Sequence, residues 1–159
     1  MRNIKILFFL ILSQIVFSQV KSTDELYKTA KKLDSLIFDI GFNKCDVSHY
    51  NKIVSNDLEF YHDKGGITIG KEAFTSSIKN NICGSPNKVK RELISNSMKV
   101  YPLYNNKVLY AFIEEGEHDF AEFHHEKWNK GSRAKFTILW ILERKDWKMK
   151  RVLSYDHVL

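Results

Sequence analysis

The chain has 159 residues, of which 43% are hydrophobic and 13% aromatic, and Lys and Arg outnumber Asp and Glu by 25 to 19. This composition excludes a disordered or collagen-like chain, and the length suits one globular domain better than a multidomain enzyme. Basic and acidic residues are interspersed, and the densest basic cluster spans only Lys88 to Arg91. We therefore expect no nucleic-acid partner.

The first 18 residues have the pattern of a secretory signal peptide. Two basic residues precede a mostly apolar run at residues 6–17, which is shorter than the ~20 residues needed to span a bilayer. Val16 and Ser18 suit the small-residue positions of a cleavage site. We expect export to the periplasm or the exterior, and one mature domain over residues 19–159 with no membrane attachment after cleavage.

Two cysteines remain in the mature chain, as is common for an exported domain. Cys45 and Cys83 lie 38 residues apart, and closing such a loop would stabilise the fold by roughly 3 to 4 kcal/mol. We predict a disulfide between them. Two separately buried thiols stay an alternative, because the sequence contains no distance between the two residues.

The first half of the mature chain is predicted to be helical. A capping-box pattern at Ser22 to Glu25 begins a helix whose apolar residues recur at helical spacing up to Gly41. A short helix begins at Asp46, ends before a turn at residues 55–57, and precedes a third helix over residues 70–82. Two short strands are expected between them, Leu58 to His62 and Ile67 to Ile69.

The second half is predicted to form an antiparallel sheet. Apolar residues alternate in long strands over residues 98–104, 107–113, 133–143 and 147–157. Asn105 and Asn106 suit a tight hairpin turn, because Asn tolerates a positive φ. The polar stretch at residues 114–132 is expected to hold a short strand near His118 and then a loop.

The final hairpin indicates a pocket. A two-residue loop at Lys145 and Asp146 would pair Arg144 with Trp147, so that the residue numbers of every facing pair sum to 291. With this register, one face of the hairpin is mainly aromatic and aliphatic. A single Arg and a single His among such residues is typical of a ligand pocket. The face consists of Phe136, Ile138, Trp140, Arg151, Leu153, Tyr155 and His157.

Titratable residues near the ends of predicted strands favour acid–base chemistry. Strand ends that meet at one rim of a curved sheet would bring these groups together. The candidate catalytic residues are His62, Asp63, His118, Asp156 and His157. A surface or hydrogen-bonded role stays an alternative for each histidine. A metal held by three of the histidines is a further alternative, but their spacing is not diagnostic, so we expect no metal and no cofactor.

Two other segments resemble functional motifs only in part. Gly65 to Glu72 has the spacing of a phosphate-binding loop, but Glu72 replaces the hydroxyl residue and would repel phosphates. His125 to Asn129 resembles half of a zinc-protease helix, but Asn129 replaces the second histidine ligand. No G-x-S-x-G segment supports a serine nucleophile.

The order of these segments resembles the nuclear transport factor 2-like superfamily. The segments FYHDKGG at residues 60–66 and SYDH at residues 154–157 are similar to its SnoaL-like branch of exported bacterial proteins of uncharacterised function. The resemblance covers roughly residues 30–157. It implies an α+β cone, in which about three N-terminal helices pack on a strongly curved antiparallel sheet, and a homodimer formed through the outer sheet face.

The resemblance also implies an open conical pocket, near which Tyr61 joins the pocket residues of the hairpin. Members of the branch often have a histidine where this chain has Ile138, so any role that needs that imidazole is not expected here. We expect a domain that binds a small molecule. The alternatives are an isomerase or hydrolase that uses Asp and His, with Tyr61 or Tyr155 as an oxyanion donor, and a protein-interaction module with a plugged cone.

Overall fold

The computed structural model describes residues 19–159, so the expected signal peptide lies outside the described residues. Helix α1 (Glu25–Ser35) continues as a π-helical segment (Leu36–Phe42), and helix α3 (Lys71–Ser77) continues in the same way (Ile78–Cys83); between them lies the short helix α2 (Tyr50–Ile53). The strands are β1 (Val54–His62), β2 (Gly66–Ile69), β3 (Val89–Leu93), β4 (Lys99–Asn105), β5 (Val108–His124), β6 (Lys127–Glu143) and β7 (Asp146–Val158). Within residues 19–159, no helix is long and apolar enough to cross a membrane.

The strands form one curved sheet in the order β2-β1-β7-β6-β5-β3, and β4 pairs with an earlier part of β5 than β3 does. The helices pack on its concave face, which confirms the predicted α+β cone. One pairing differs from the expected antiparallel sheet, because β1 and β7 run parallel. The last strand lies between β1 and β6, and its antiparallel pairing with β6 sets its direction.

Helix α1 packs its apolar side on the inner face of the sheet. Ala30, Leu33 and Ile37 share this side and are buried, as the helical spacing predicts. The largest buried side chains of the sheet face them, among them Phe112, Phe136, Ile138 and Trp140. This contact between the helices and the concave sheet forms the core.

The predicted C-cap of the first helix, Gly41, is wrong by two residues, because the helical segment runs to Phe42 and its C-cap is Asn43. Gly41 instead makes room for a ring, since a Cβ atom there would lie 2.3 Å from the Tyr50 side chain. The Tyr50 hydroxyl donates to the carbonyl of Ile37 at 2.8 Å. The predicted turn at residues 55–57 is also wrong, because the buried Val54 and Leu58 belong to one strand, β1.

The polar stretch predicted to contain a loop is a long hairpin of β5 and β6. The two strands pair almost continuously from Ala111 with Ile141 to His124 with Lys127. His125 and Glu126 form the turn, both with positive φ. The turn predicted at Asn105 and Asn106 lies one residue later, at residues 106–107.

The predicted register of the final hairpin is also wrong. The turn consists of Arg144 and Lys145, so that Glu143 pairs with Asp146, and an irregularity follows between Leu139 and Trp140. Inward-facing residues therefore have partners different from those expected: Trp140 pairs with Met149, Ile138 with Val152, and Phe136 with Ser154. A one-residue shift moves every side chain of a strand to the other face.

A disulfide joins Cys45, in the loop after the first helical segment, to Cys83 at the end of the third, with Cα atoms 5.7 Å apart. Cys83 also packs against the hydrophobic core. The bond ties together the two helical segments that lie beside the open part of the cone. It limits how far these segments can separate.

Candidate functional site

A cavity of about 370 Å³ lies between the helical segments and the concave face of the sheet. Aromatic and aliphatic side chains form most of its wall, including Phe38, Phe42, Phe60, Phe74, Phe120 and Phe136. Three histidines, His62, His118 and His157, are among the few polar residues that line it. A mostly apolar wall with a few polar groups is the usual composition of a small-molecule site.

Asp63 and His157 form a hydrogen-bonded pair at one end of the cavity. Oδ1 of Asp63 lies 2.5 Å from Nδ1 of His157, and the His157 backbone amide donates to Oδ2 at 3.2 Å. Asp63 is held in turn by its own amide, which donates to the carbonyl of Ser154 at 3.1 Å. Partial desolvation raises the pKa of Asp63, but its hydrogen bonds to His157 lower it more, so the carboxyl is ionised at neutral pH.

The backbone beside His157 is bulged. Asp156 has φ 60°, and the pairing of β6 with β7 shifts between Arg133 and Lys135. Such a bulge redirects the next side chain. The His157 ring is thereby turned inward although Tyr155, two residues earlier, points outward.

His62 stacks on His157, with ring centroids 4.4 Å apart and planes inclined by 18°. Nδ1 of His62 accepts from the amides of Lys64 and Gly65, both at 3.1 Å. The proton of a neutral His62 is therefore on Nε2. Burial lowers the pKa of His62, and the nearby His157 lowers it further.

His118 lies deeper in the cavity, on β5, and is linked to a buried cluster. Nδ1 of His118 is 3.1 Å from Nε of Arg91, and Nη1 of Arg91 is 2.9 Å from Oδ2 of Asp34. Glu114 adjoins this ion pair and accepts from the Trp140 indole at 2.7 Å. Burial, followed by the positive charge of Arg91, lowers the pKa of His118 to about 3.

Two ring nitrogens at the cavity are buried and unpartnered within residues 19–159. They are Nε2 of His118 and Nε2 of His157. Because Asp63 accepts from Nδ1 of His157, Nε2 of a neutral His157 carries a lone pair, whereas Nε2 of His118 carries a proton. The two buried, unpartnered ring nitrogens thus offer a ligand one hydrogen-bond acceptor, on His157, and one donor, on His118.

His62, Asp63 and His157 also meet the distance requirement for a metal site, with one possible ligand atom from each within 4.8 Å of the others. Two of these atoms are already engaged, Nδ1 of His62 by two amides and Nδ1 of His157 by Asp63. Because Nε2 of a neutral His62 carries the proton and Nδ1 already accepts from two amides, His62 has no free lone pair for a metal. The arrangement fits a hydrogen-bonded acid–base pair better than a metal centre.

A larger groove of about 850 Å³ lies between helix α1 and strands β3 and β5. It is strongly charged, and two of its carboxylates are paired, Asp34 with Arg91 and Asp119 with Arg133. The histidines do not line it. We place the candidate site in the smaller, apolar cavity.

The structure brings together four of the five predicted catalytic residues, His62, Asp63, His118 and His157. Asp156 faces outward and pairs with Lys135 at 2.8 Å.

Of the predicted pocket face, Phe136 and His157 line the cavity. Ile138 and Trp140 are buried in the core beside it, whereas four others lie on the outer sheet face: Tyr61, Arg151, Leu153 and Tyr155. The Tyr61 hydroxyl donates to Glu59, and Arg151 also pairs with Glu59. The register shift of the final hairpin accounts for three of these corrections; Tyr61 faces outward on β1.

Asp34, Arg91 and Glu114 are buried charged residues that were not among the predicted site residues. A signal for Arg91 exists, because strand alternation places it on the same face as Val89 and Leu93. Glu114 alternates with Phe112 in the same way. A charged residue on an apolar strand face indicates a buried ionic group, which is uncommon unless it is paired.

Comparison with protein-family models finds no match, and neither does comparison with curated proteins. Solved structures do match. A nuclear transport factor 2-like protein from Cytophaga hutchinsonii has a TM-score of 0.63 at 10% identity, covering 82% of this chain and 98% of that one. ActVI-ORFA from Streptomyces coelicolor has a TM-score of 0.66 at 7% identity, covering 84% and 98%.

A nuclear transport factor 2-like superfamily protein from Salmonella enterica has a TM-score of 0.58 at 12% identity, over 82% of this chain and 94% of that one. These likenesses span most of both chains at very low identity, so they concern the backbone and not the residues of the site. The order of helices and strands and the conical sheet agree with them. The chain therefore has the nuclear transport factor 2-like fold.

Proposed function

We propose that the chain is an exported domain that binds a small, largely apolar molecule in its cone. The observation that carries this proposal is the pair of unpartnered nitrogens, Nε2 of His118 and Nε2 of His157, at an otherwise mostly apolar cavity. Burial of an unpaired polar group costs free energy. A ligand with matching polar groups would remove this cost while its apolar body fills the cavity.

The size of the cavity also favours a ligand over a plugged cone. Its volume of about 370 Å³ lies within the range of known small-molecule sites, which begins near ~300 Å³. Export is supported by the signal-like N-terminal pattern and by the disulfide, because disulfides persist mainly in oxidising compartments.

Thermal unfolding with small carboxylates, sterols and aromatic ketones tests the binding proposal. A ligand at ~100 times its Kd stabilises the folded state by about 2.7 kcal/mol. We expect one of these classes to stabilise the wild type and the control His49→Gln, in which an exposed histidine is changed, but to stabilise His157→Gln much less. Equal stabilisation of all three proteins would place the ligand elsewhere.

A second candidate function is proton transfer, as in an isomerase or a hydrolase. It is favoured by the Asp63–His157 pair, in which an ionised carboxylate orients the ring and would stabilise the imidazolium formed. Nε2 of His157 would remove a proton from a bound molecule, and Nδ1 would keep its hydrogen bond to Asp63.

Exchange of the methyl protons of acetophenone in deuterated water measures such proton removal directly. Asp63→Asn keeps the size of the side chain but removes its charge, so we expect the exchange rate to fall by about 10² to 10⁴. Asp156→Asn is the matched control, because Asp156 is adjacent in sequence to His157 but faces outward. Equal rates for Asp63→Asn and the wild type would exclude this chemistry for the pair.

A further inference from the structure

The ring of His118 is confined between two aromatic side chains. It stacks on the Phe136 ring, with centroids 5.3 Å apart and planes inclined by 7°. The Phe120 ring packs against it in an edge-to-face arrangement, with centroids 4.8 Å apart. Only 3% of the residue is exposed. The ring therefore has little freedom to rotate, and its hydrogen-bonding pattern depends on the groups beside its two nitrogens.

Arg91 determines which nitrogen carries the proton. A guanidinium group only donates hydrogen bonds and stays protonated in proteins, and Nε of Arg91 donates to Nδ1 of His118 at 3.1 Å. Nδ1 must therefore present a lone pair. A neutral imidazole with a lone pair on Nδ1 has its proton on Nε2.

Arg91 is itself fixed in place. Nη1 donates to Asp34 at 2.9 Å in an ion pair whose side chains are 1% and 4% exposed, and the guanidinium lies 3.9 Å from the centroid of the Phe38 ring. Turning Arg91 away from His118 would break this buried ion pair, which is strongly unfavourable.

Glu114 completes the cluster in its protonated form. Its carboxyl is fully buried, and burial together with the charge of Asp34 raises its pKa well above the usual value. Oδ1 of Asp34 and Oε1 of Glu114 are buried and have no hydrogen-bond partner in residues 19–159.

We infer that the Asp34–Arg91–Glu114 cluster holds His118 as a neutral Nε2–H donor toward the cavity, and that the ligand is an uncharged carbonyl compound whose oxygen accepts this hydrogen bond. Nδ1 of His118 faces Arg91, which does not line the cavity. Because His118 itself lines the cavity, we assign this contact to the ring edge that bears Nε2. This inference rests on the proposed binding function and specifies its ligand class.

A carbonyl oxygen suits this site better than a charged group. An ammonium group has no lone pair with which to accept from the N–H of His118, and a carboxylate would have to lose its water for a single neutral donor. The phenyl rings of Phe38, Phe120 and Phe136 suit an apolar body attached to the carbonyl. His118 is then a specificity-determining residue, and Arg91 and Asp34 are positioning residues.

The first arm of the test is NMR of the free wild-type protein with labelled histidine, which reports the protonation of each ring nitrogen. We expect the proton of His118 on Nε2 and a lone pair on Nδ1, unchanged between about pH 8 and pH 5. A proton on Nδ1, or a doubly protonated ring in this range, would overturn the inference. This arm requires neither a ligand nor a substituted protein.

The second arm compares the binding of acetophenone and of α-methylstyrene, in which a CH₂ group replaces the carbonyl oxygen. We expect the wild type to bind the ketone about tenfold more tightly, and His118→Phe to reduce the ratio to about twofold or less. Equal affinities in the wild type, or an unchanged ratio in the variant, would overturn the ligand class. Failure of both compounds to bind the wild type would contradict the proposed binding of apolar molecules and also the carbonyl ligand class. The NMR experiment would still decide which nitrogen of His118 carries the proton.

Discussion

The imidazole rings of His62 and His157 stack face to face, with their centroids 4.4 Å apart. Two rings so close cannot both become cations without strong repulsion, so protonation of one opposes protonation of the other. Only one of the two is held by a carboxylate at hydrogen-bond distance, because Asp63 contacts Nδ1 of His157 at 2.5 Å and Nδ1 of His62 at 3.4 Å. The carboxylate of Asp63 therefore lies closer to the ring of His157 than to that of His62.

Removal of the His157 ring is predicted to raise the pKa of His62. Burial lowers this pKa first and the neighbouring His157 second, so His157→Gln removes the second cause and leaves Asp63 beside His62. NMR titration of the His62 ring in both proteins measures the change. An unchanged or lower pKa in the variant would mean that the two rings do not interact electrostatically.

The two acidic residues of the buried cluster are predicted to differ in their effect on stability. Asp34→Asn leaves Arg91 without a counterion and should lower the free energy of unfolding by about 3 to 5 kcal/mol. Glu114→Gln keeps a hydrogen-bonding group of the same size and should cost less than about 1 kcal/mol at neutral pH. Chemical denaturation measures both, and equal losses would contradict a protonated Glu114.

Glu114→Gln should also change the dependence of stability on pH. Because the pKa of Glu114 is raised in the folded state, its contribution to stability is complete below its unfolded pKa of ~4.3 and declines as the pH rises. Glutamine does not titrate, so the variant should gain stability relative to the wild type as the pH increases from ~4 to ~8. A constant difference between the two proteins would show that Glu114 titrates normally.

His118 is predicted to change the pH dependence of stability in the opposite direction to Glu114, by lowering stability at acidic pH. Its pKa falls to about 3 on folding, so its contribution is complete above the unfolded value of ~6.5 and is lost as the pH falls toward 3. The shift corresponds to a loss on the order of 4 kcal/mol across this window. His118→Phe should lack that loss, which denaturation curves of both proteins at several pH values would reveal. Parallel curves would contradict a histidine kept neutral by its surroundings.

Loss of the disulfide is predicted to weaken the fold. Replacement of both Cys45 and Cys83 by Ser frees a loop with a sequence separation of 38 residues, which should cost about 3 to 4 kcal/mol through the entropy of the unfolded chain. The reduced wild-type protein is the control and should show a similar loss in denaturant. Unchanged stability would mean that the bond does not constrain the unfolded chain as expected.

Gly41→Ala is predicted to destabilise the protein by about 1 to 3 kcal/mol, because the added Cβ atom would overlap the buried Tyr50 ring. Gly65→Ala is a suitable control, since the nearest atom to its Cβ would be 3.4 Å away in the His62 ring. Thermal unfolding compares the two variants, and an equal effect would indicate that Tyr50 moves aside at little cost.

Hydrophobic periodicity predicted the fold class well, whereas the exact positions of the turns were wrong. The helical spacing from Ala30 to Ile37 and the alternation of the long strands are local patterns that the packed structure preserves. The register between β6 and β7 was harder to predict. The irregularity between Leu139 and Trp140 and the bulge at Asp156 each shift the pairing of these two strands by one residue. These bulges depend on how the strands close around the core, which no local pattern contains.

The candidate site was predictable to the extent that its residues lie at strand ends. His62, Asp63 and His157 lie close together because β1 and β7 are parallel neighbours, and the last residue of β1, His62, pairs with Ser154, three residues before His157. The buried cluster was not predicted, since Asp34 and Arg91 are 57 residues apart in the chain. Their pairing follows from the way helix α1 crosses the sheet.

The affinity of acetophenone for the wild type and for Val152→Phe, measured by calorimetry, tests most directly whether the cone binds small apolar molecules. Val152 lines the cavity and is buried, so a phenyl group there would fill space that the ligand needs. We predict one-to-one binding to the wild type and at least about tenfold weaker binding to the variant, once circular dichroism has verified that it is folded. Equal affinities, or no binding to the wild type, would contradict the account.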